Sequence, residues 1–320
     1  MTLHQNDVQL FTKAALDTFD LKEFSIDIKK ALVDLKDDIV SEFEDLNSED
    51  TKKARCDHFK ILGADPEDYA EKILLLDSGK IVIYGIRHMG AKPEYPFIQL
   101  NPNYQIQSKA DAMDLYEKIK YEFEVFMPKH ICFWSRDEID ADFFGSIYMV
   151  STSRQMKELN EWPIEDELHF IKITDDSYYD FYLSGYKEFH KCSPELSMKV
   201  TVNSLSTMKE SLDDGLLYYI EMNGNRVGLI AGVRRKFLGE EGIYFNEIFI
   251  SKHWKGRGLA KAIQRKFITL NTAGHEFVWG TIDSHNLPSF KTAKSNGRKP
   301  IRYECFINLS LGGSNGQQKG

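Results

Sequence analysis

The feature that most constrains the fold is a glycine turn that joins a strand-like apolar run to a basic amphipathic helix. The run ends at Ile250, Gly256 and Gly258 belong to the turn, and apolar residues recur at helical spacing over 258–270. A strand that leads directly into a helix is typical of mixed α/β domains, in which the helix packs on the sheet. We therefore expect an α/β fold with a mixed sheet (α+β) around this turn.

Further strand and helix signals surround the turn and extend the same domain in both directions. Asn223-Gly224 between two alternating apolar runs is among the strongest local signals for a β-hairpin. The polar segment 151–163 ends in proline and predicts a linker, so we place one domain at 164–310. Its predicted strands are 168–173, 216–222, 226–233, 243–250, 277–282 and 301–309, and its predicted helices are 177–191, 206–212, 258–270 and 288–295.

The amino-terminal part, 1–158, predicts a second α/β domain. Apolar residues recur at helical spacing from 24 to 46, and the other face of this helix carries acids. Ser108, with Asp111 three residues later, predicts the start of another helix. Strands are predicted at 73–76, 80–86, 96–100, 130–134 and 143–150. The polar, Gly-rich tail at 311–320 predicts disorder.

Composition and charge exclude several classes of protein. The 320 residues contain no apolar run near the ~18 residues that a membrane span needs, which predicts a soluble chain with no membrane partner. The net charge of -8 argues against general nucleic-acid binding, because neutralising phosphates requires a basic face. The amino terminus lacks the basic start and long apolar stretch of a secretory signal, so we expect a cytoplasmic protein.

Cysteine and histidine spacing predicts neither a disulfide framework nor a metal site. The four cysteines are scattered and form no CxxC pair, so we expect reduced thiols. The nine histidines show no HxxxH or HxH spacing of the kind that a local metal site favours. The expected metal content is none.

The glycine turn has the composition of an anion site. Gly256 and Gly258 allow consecutive backbone N–H groups to point into one concavity, and the positive end of the following helix adds partial charge. Lys255, Arg257 and Lys261 raise the local potential further. Over 251–270 the chain carries six lysines and arginines and no acid. A pyrophosphate could be held here; a plain strand-to-helix connection with a solvated basic helix is the alternative.

Residues 255–260 resemble the acetyl-CoA loop of the GNAT superfamily of N-acetyltransferases, whose pattern is (Gln or Arg)-x-x-Gly-x-(Gly or Ala). Gly258 and Ala260 match this pattern, and Lys255 departs from its first residue while keeping a positive charge. A second resemblance lies downstream, where Asn286 and Ser289 fall on the family's Asn-x-x-(Ala or Ser) positions. The family is thus indicated for the carboxyl-terminal domain.

The resemblance implies an acetyl-CoA-dependent N-acetyltransferase that acts on a primary amine by direct attack. Acetyl-CoA would lie in a V-shaped opening between the fourth and fifth strands of the domain. Glu247 is the first candidate for the base, acting through water, although it could equally anchor the substrate or be an exposed strand carboxylate. The implied cofactor-binding residues are Ile248, Phe249, Ile250, Lys255, Gly256, Arg257, Gly258, Leu259, Ala260, Lys261, Asn286 and Ser289.

The group that protonates the leaving thiolate is not evident. Many family members carry a tyrosine seven residues after the asparagine, and here that position is Ala293. Tyr303, Ser289 or His285 could substitute, the thiolate could leave unassisted, or the chain could have lost activity. The alternative function is therefore a non-catalytic acyl-CoA-binding or regulatory module.

The order of strands in the amino-terminal part resembles the centre of a GNAT domain. That order suggests a tandem arrangement similar to mycothiol synthase and the peptidoglycan aminoacyl-transferases, with a degenerate first copy because 101–107 contains no glycine. An unrelated α/β domain remains the alternative. Transfer from a charged tRNA is disfavoured by the intact loop and the negative charge. The acceptor, a small-molecule or peptide amine, and the oligomeric state stay open.

Overall fold

The computed structural model describes residues 3–192, 194 and 200–309 of the chain. Its internal contacts divide the chain into two compact units. The first unit runs up to Gly145 and resumes at Arg302, and the second comprises Ser146–Ile301. The predicted disordered tail, 311–320, lies outside the described residues.

The first unit places helices against a sheet whose strands follow the order β1-β2-β3-β4-β11. Its core includes a cluster in which Phe11 and Phe43 of two helices pack on Ile81 and Ile83 of β2. Its elements are α1 (Gln5–Leu16), α2 (Ile28–Leu46), α3 (Glu49–Phe59), β1 (Lys72–Leu75), β2 (Ile81–His88), β3 (Pro96–Pro102), α4 (Lys109–Ile119), β4 (His130–Ser135) and the part of β11 (Lys299–Asn308) that follows Ile301.

The second unit has a sheet in the order β5-β10-β9-β8-β7-β6. Neighbouring strands are antiparallel except for β9 and β10, which are parallel. Its elements are β5 (Phe143–Thr152, from Ser146 onward), α5 (Ser153–Glu158), β6 (Leu168–Lys172), α6 (Tyr178–Cys192), α7 (Leu205–Asp213), β7 (Leu217–Met222), β8 (Asn225–Arg234), β9 (Gly242–Ile250), α8 (Leu259–Asn271), β10 (Phe277–Asp283) and α9 (Leu287–Ser295).

Two hydrophobic clusters cover the two faces of the second sheet. One cluster contains Phe267 and Ile263 of α8 together with Ile243 and Val278 from the central strands. The other contains the α6 tyrosines, among them Tyr182, together with Phe249. Alternate residues of β9 therefore belong to different layers, as the two-residue period of a strand requires.

The parallel pairs of both units separate before their strands end. In the second unit, β9 and β10 pair over Gly242–Tyr244 and Phe277–Trp279, and β9 then continues for six more residues to Ile250. In the first unit, β3 and β4 pair over Phe97–Gln99 and His130–Cys132 and then separate. In each unit, the two strands of the parallel pair therefore leave an opening between them beyond the last paired residues.

The observed division of the chain differs from the sequence division at 158 and 164. Strand β5, assigned by sequence to the first domain, pairs with β10, and β11, assigned to the second, pairs with β4. Long-range strand pairing of this kind is invisible to local patterns. The segment 151–163, predicted as a linker, contains α5, whose start is fixed by a capping box between Thr152 and Gln155. The prediction of a mixed α/β fold is confirmed.

Two further features concern the described residues as a whole. Cys56, Cys132, Cys192 and Cys305 are all free thiols. Within the described ranges, no helix combines the length and apolar character needed to cross a membrane.

A histidine is buried in an aromatic cluster of the first unit without a hydrogen bond to either ring nitrogen. The His88 ring stacks on Phe59 at a centroid distance of 3.8 Å, and Tyr69 and Phe126 lie within 6.3 Å of it. Burial, with repulsion from Arg55, lowers the pKa of His88 from 6.5 to about 4. The fold therefore accepts the neutral ring and excludes the charged one.

We predict that His88 makes the chain sensitive to acid and that His88→Phe removes much of this sensitivity. A folded-state pKa below the unfolded value gives stability that is complete above pH ~6.5 and is lost as pH falls towards 4, by about 2–3 kcal/mol. Urea unfolding at several pH values measures the loss. The exposed His4→Phe is the matched control, and equal acid sensitivity of wild type and His88→Phe would contradict the prediction.

Candidate functional site

The start of α8 is an open helix N-terminus approached by two left-handed glycines. Gly256 has φ 78° and Gly258 has φ 74°, a conformation that favours glycine. Gly258 occupies the N-cap position and no side chain caps the helix there. The first backbone N–H groups of a helix have no intrahelical partner, so those of Leu259, Ala260 and Lys261 are available to an anion.

Each cation of the turn lies on an aromatic ring. Lys255 Nζ is 3.6 Å from the centroid of the Phe189 ring, and Lys261 Nζ is 3.6 Å from that of Trp162. The Arg257 guanidinium lies 4.8 Å from the Trp254 ring. These rings hold the long side chains near the turn without neutralising their charge, so the positive potential of the loop is retained.

The second sequence motif forms the start of α9. Asn286 is the N-cap residue, and its Oδ1 accepts a hydrogen bond of 3.3 Å from the backbone N–H of Ser289. The Asn-x-x-Ser pattern therefore has a structural explanation as a cap. A role of either side chain in binding a cofactor stays a prediction.

Glu247 is the chemically distinctive residue of β9. The Tyr186 hydroxyl donates a hydrogen bond of 2.9 Å to Glu247 Oε2, and the Tyr182 hydroxyl donates to the same oxygen. The other oxygen accepts the backbone N–H of Ile248 at 2.8 Å. Both tyrosines are buried and Glu247 is of intermediate exposure, so its carboxylate is desolvated and is held by hydrogen bonds from two phenols and one backbone N–H.

A β-bulge directs Glu247 towards α6. The register between β8 and β9 shifts so that Ala231 faces Glu247 and Gly232 faces Phe245, which leaves Asn246 as the extra residue. The Asn246 amide donates to Thr207 O and Ser211 Oγ, each at 3.0 Å, and this fixes the bulge against α7. The Asn203 N–H in turn donates to the Tyr182 hydroxyl at 3.0 Å. A chain of hydrogen bonds thus orients the carboxylate.

Electrostatics at Glu247 favour a carboxylate that can accept a proton. Burial raises the pKa of Glu247 above its usual range, while the hydrogen bonds from Tyr182 and Tyr186 oppose that shift. Burial and the nearby carboxylate raise the pKa values of both tyrosines, so they remain donors at neutral pH. Burial lowers the pKa of Lys255, although Glu247 partly offsets this effect. A carboxyl with a raised pKa suits general base catalysis near neutrality.

The remaining sequence candidates fall into two groups. Ile248 and Ile250 pack with the α8 layer, and Phe249 packs on the α6 tyrosines, so their backbone follows the edge of the opening. Tyr303 lies in the part of β11 that belongs to the first unit. Its backbone is paired with Ser135 of β4, and its side chain forms a hydrogen bond with Glu138. Tyr303 and Glu247 therefore belong to different units, and a catalytic role of Tyr303 stays a prediction.

The position expected to carry a general acid is occupied by a buried alanine. Ala293 lies in α9 and is completely buried. His285 contacts Asp283, with Nδ1 3.1 Å from Oδ1, and is exposed. Among the described residues, no group of three or more His, Cys, Asp or Glu side chains could hold a metal ion.

The corresponding helix of the first unit is closed to anions. The Ser108 side chain caps α4 by accepting the Asp111 N–H at 3.2 Å, and the Asp111 carboxylate accepts the Gln107 N–H at 3.1 Å. A capped helix start that carries a negative charge repels phosphate. The two parallel pairs therefore lead to helices with opposite properties.

Three participants in the site were missed by sequence reasoning: Tyr182, Tyr186 and the bulge at Asn246. The tyrosines could have been found, because Tyr178, Tyr182 and Tyr186 recur every four residues and share one face of α6. The bulge has no sequence signature of its own.

Comparison with solved structures finds the same fold in a GCN5-related N-acetyltransferase from Sphaerobacter thermophilus, at 10% identity and a TM-score of 0.54, covering 96% of this chain and 95% of that one. An acetyltransferase from the GNAT family of Colwellia psychrerythraea aligns at 9% identity and a TM-score of 0.44, covering 81% and 96% of the two chains. No protein-family model and no curated protein matches the sequence. The chain has a GNAT-like fold, as its motifs predict.

We predict that Gly258→Asp weakens binding of acetyl-CoA by more than ~tenfold, because it adds a negative charge at the open start of α8. Gly224→Asp is the matched control: Gly224 has φ 72°, and a Cβ there meets nothing within 4 Å. Both variants carry a similar backbone cost of about 1 kcal/mol. Calorimetric titration measures the affinities, and equal binding by the two variants would show that the loop is misassigned.

Proposed function

We propose that the second unit is a CoA-thioester-dependent N-acyltransferase that acts on a primary amine, with acetyl-CoA as the co-substrate implied by the loop motif. One observation carries the proposal. Strand β9 holds the partly exposed Glu247, and the same strand leads through the glycine turn to the uncapped start of α8. The GNAT-like fold supports the same assignment.

The residues of the turn fit the phosphates of such a co-substrate. The open N–H groups at the start of α8, the left-handed glycines and three cations all favour an anion. The separation of β9 from β10 past Tyr244 and Trp279 offers the unpaired strand edge along which the pantetheine arm would lie. When bound, the thioester supplies an activated acyl group.

Glu247 is the proposed base. It accepts a proton from the acceptor ammonium, directly or through water, and the freed amine nitrogen attacks the thioester carbonyl carbon. The carbon–sulfur bond then breaks, the electron pair leaves on sulfur, and the new amide nitrogen gives up its remaining surplus proton to the departing thiolate or to solvent. A thiolate is a far better leaving group than an amine, so the buried Ala293 does not prevent turnover.

A second candidate function follows from Ala293. If thiolate release does need an acid, the unit would bind acyl-CoA without turnover and serve as a regulatory module. The two functions differ in catalysis and agree in binding, so an amine screen that monitors thiol release separates them.

For the first unit we propose a degenerate copy of the same fold. Its parallel pair separates as in the second unit, which supports the relationship. The Ser108 cap and Asp111 argue against a second cofactor site there.

The decisive test is calorimetric titration of the full chain with acetyl-CoA, free CoA and dephospho-CoA. We expect micromolar binding that persists in dephospho-CoA, because the turn recognises the pyrophosphate. Absence of binding at millimolar concentration would refute the proposed function. A panel of primary amines, tested with acetyl-CoA for thiol release, then identifies the acceptor class.

We predict that Tyr182→Phe and Tyr186→Phe shift the acid limb of the pH–rate profile upwards by about one pH unit. Activity is lost as pH falls through the pKa of Glu247, and each hydroxyl lowers that pKa. Removing one therefore raises it.

Tyr179→Phe is the matched control on the same helix, since the Tyr179 hydroxyl donates to Asn203 O at 2.9 Å instead of to Glu247. NMR titration of the Glu247 carboxyl carbon gives the same pKa without turnover. An acid limb that stays in place while the carboxyl pKa moves would remove Glu247 from the role of base.

A further inference from the structure

A buried guanidinium lies at the apex of the opening between β9 and β10. Arg298 is 3% exposed, and its guanidinium lies 4.6 Å from the centroid of the Phe245 ring. Phe245 and Gly280 are the first residues after the last paired couple, Tyr244 and Trp279. Arg298 therefore marks the point from which the two strands diverge.

The charge of Arg298 has no counter-ion in the part of the chain that the structure describes. Its Nη2 donates to Gln264 Oε1 at 2.8 Å, and its Nε is buried without a hydrogen-bond partner. Burial alone lowers the pKa of Arg298 to about 9, so the group is still a cation at neutral pH. A buried cation without an anion is costly, and a ligand that brings an anion relieves this cost.

Gly280 leaves space beside the guanidinium. A methyl group on Gly280 would lie 3.6 Å from Arg298 Nη1 and 3.6 Å from Phe245 O, at ordinary contact distance. Because Gly280 has no side chain, room for one methyl group remains between Nη1 and the backbone of β9. The space is thus adjacent to a donor that carries positive charge.

We propose that Arg298 binds a terminal carboxylate on the acyl group of the CoA thioester, so that the preferred acyl donor is a dicarboxylic acyl-CoA. This inference rests on the proposed function, in which the thioester lies between β9 and β10. A neutral acyl chain would exclude water from the guanidinium without supplying a hydrogen-bond acceptor. A carboxylate forms charge-assisted hydrogen bonds with it.

The test compares thioesters matched in carbon number by calorimetric titration of the full chain. Succinyl-CoA is paired with butyryl-CoA and malonyl-CoA with propionyl-CoA, and free CoA is the reference. We expect at least one carboxylate-bearing member to bind about tenfold more tightly than its neutral partner. In Arg298→Met that ratio should fall to near one, while the affinity for free CoA stays within about threefold.

Two further variants keep the result interpretable. Arg257→Met should weaken all thioesters together and preserve the ratio, because Arg257 belongs to the loop. Gly280→Ala, which the fold accommodates at ordinary contact distance, should lower the ratio by filling the space, and it provides the test if Arg298→Met does not fold.

The outcomes separate the two proposals. The assignment of Arg298 is overturned if the wild type binds both members of each pair with equal affinity, or if the preference for the carboxylate persists in Arg298→Met. Either result leaves CoA binding intact. Failure of free CoA and every thioester to bind refutes the proposed function itself.

Discussion

The early end of the parallel pairing between β9 and β10 is the constraint on which the site depends. Had the ladder continued beyond Tyr244 and Trp279, the backbone groups of the following β9 residues would be occupied by β10. The bulge at Asn246 turns the strand at the same point and is fixed by hydrogen bonds to α7. The end of the β9–β10 pairing thus exposes the strand edge, and the bulge in the neighbouring β8–β9 ladder directs Glu247 towards α6.

The two units show how the same topology can be made receptive or closed to an anion. Both have a parallel pair that separates and a helix between its two strands. In α8 the N-cap is a left-handed glycine and the nearby cations are held on rings, whereas in α4 the N-cap is a serine and Asp111 lies in the first turn. The difference is set by a few side chains at one helix terminus and not by the fold.

Local interactions explain what the sequence could predict. The hairpin at Asn223 and Gly224, the strand that ends at Ile250 and the glycines before α8 are each determined by neighbouring residues, and the structure has all of them. The pairing of β5 with β10 and of β11 with β4 joins residues more than a hundred positions apart, so local patterns could not show that most of β5 belongs to the second unit and most of β11 to the first. Helix α5 was not predicted, because its six residues are mostly polar and Met156 is the one apolar residue among them that is buried.

Two buried or partly buried charges flank the opening, and each is solvated by neutral groups. The Glu247 carboxylate is held by the phenols of Tyr182 and Tyr186, and the Arg298 guanidinium by the amide of Gln264. Neutral partners stabilise a buried charge without cancelling its field, whereas an ion pair within the protein would leave little field for a ligand. The opening therefore presents a negative group next to α6 and a positive group next to α8. This polarity matches a reaction in which a cationic amine is deprotonated on one side and an anionic acyl chain is held on the other.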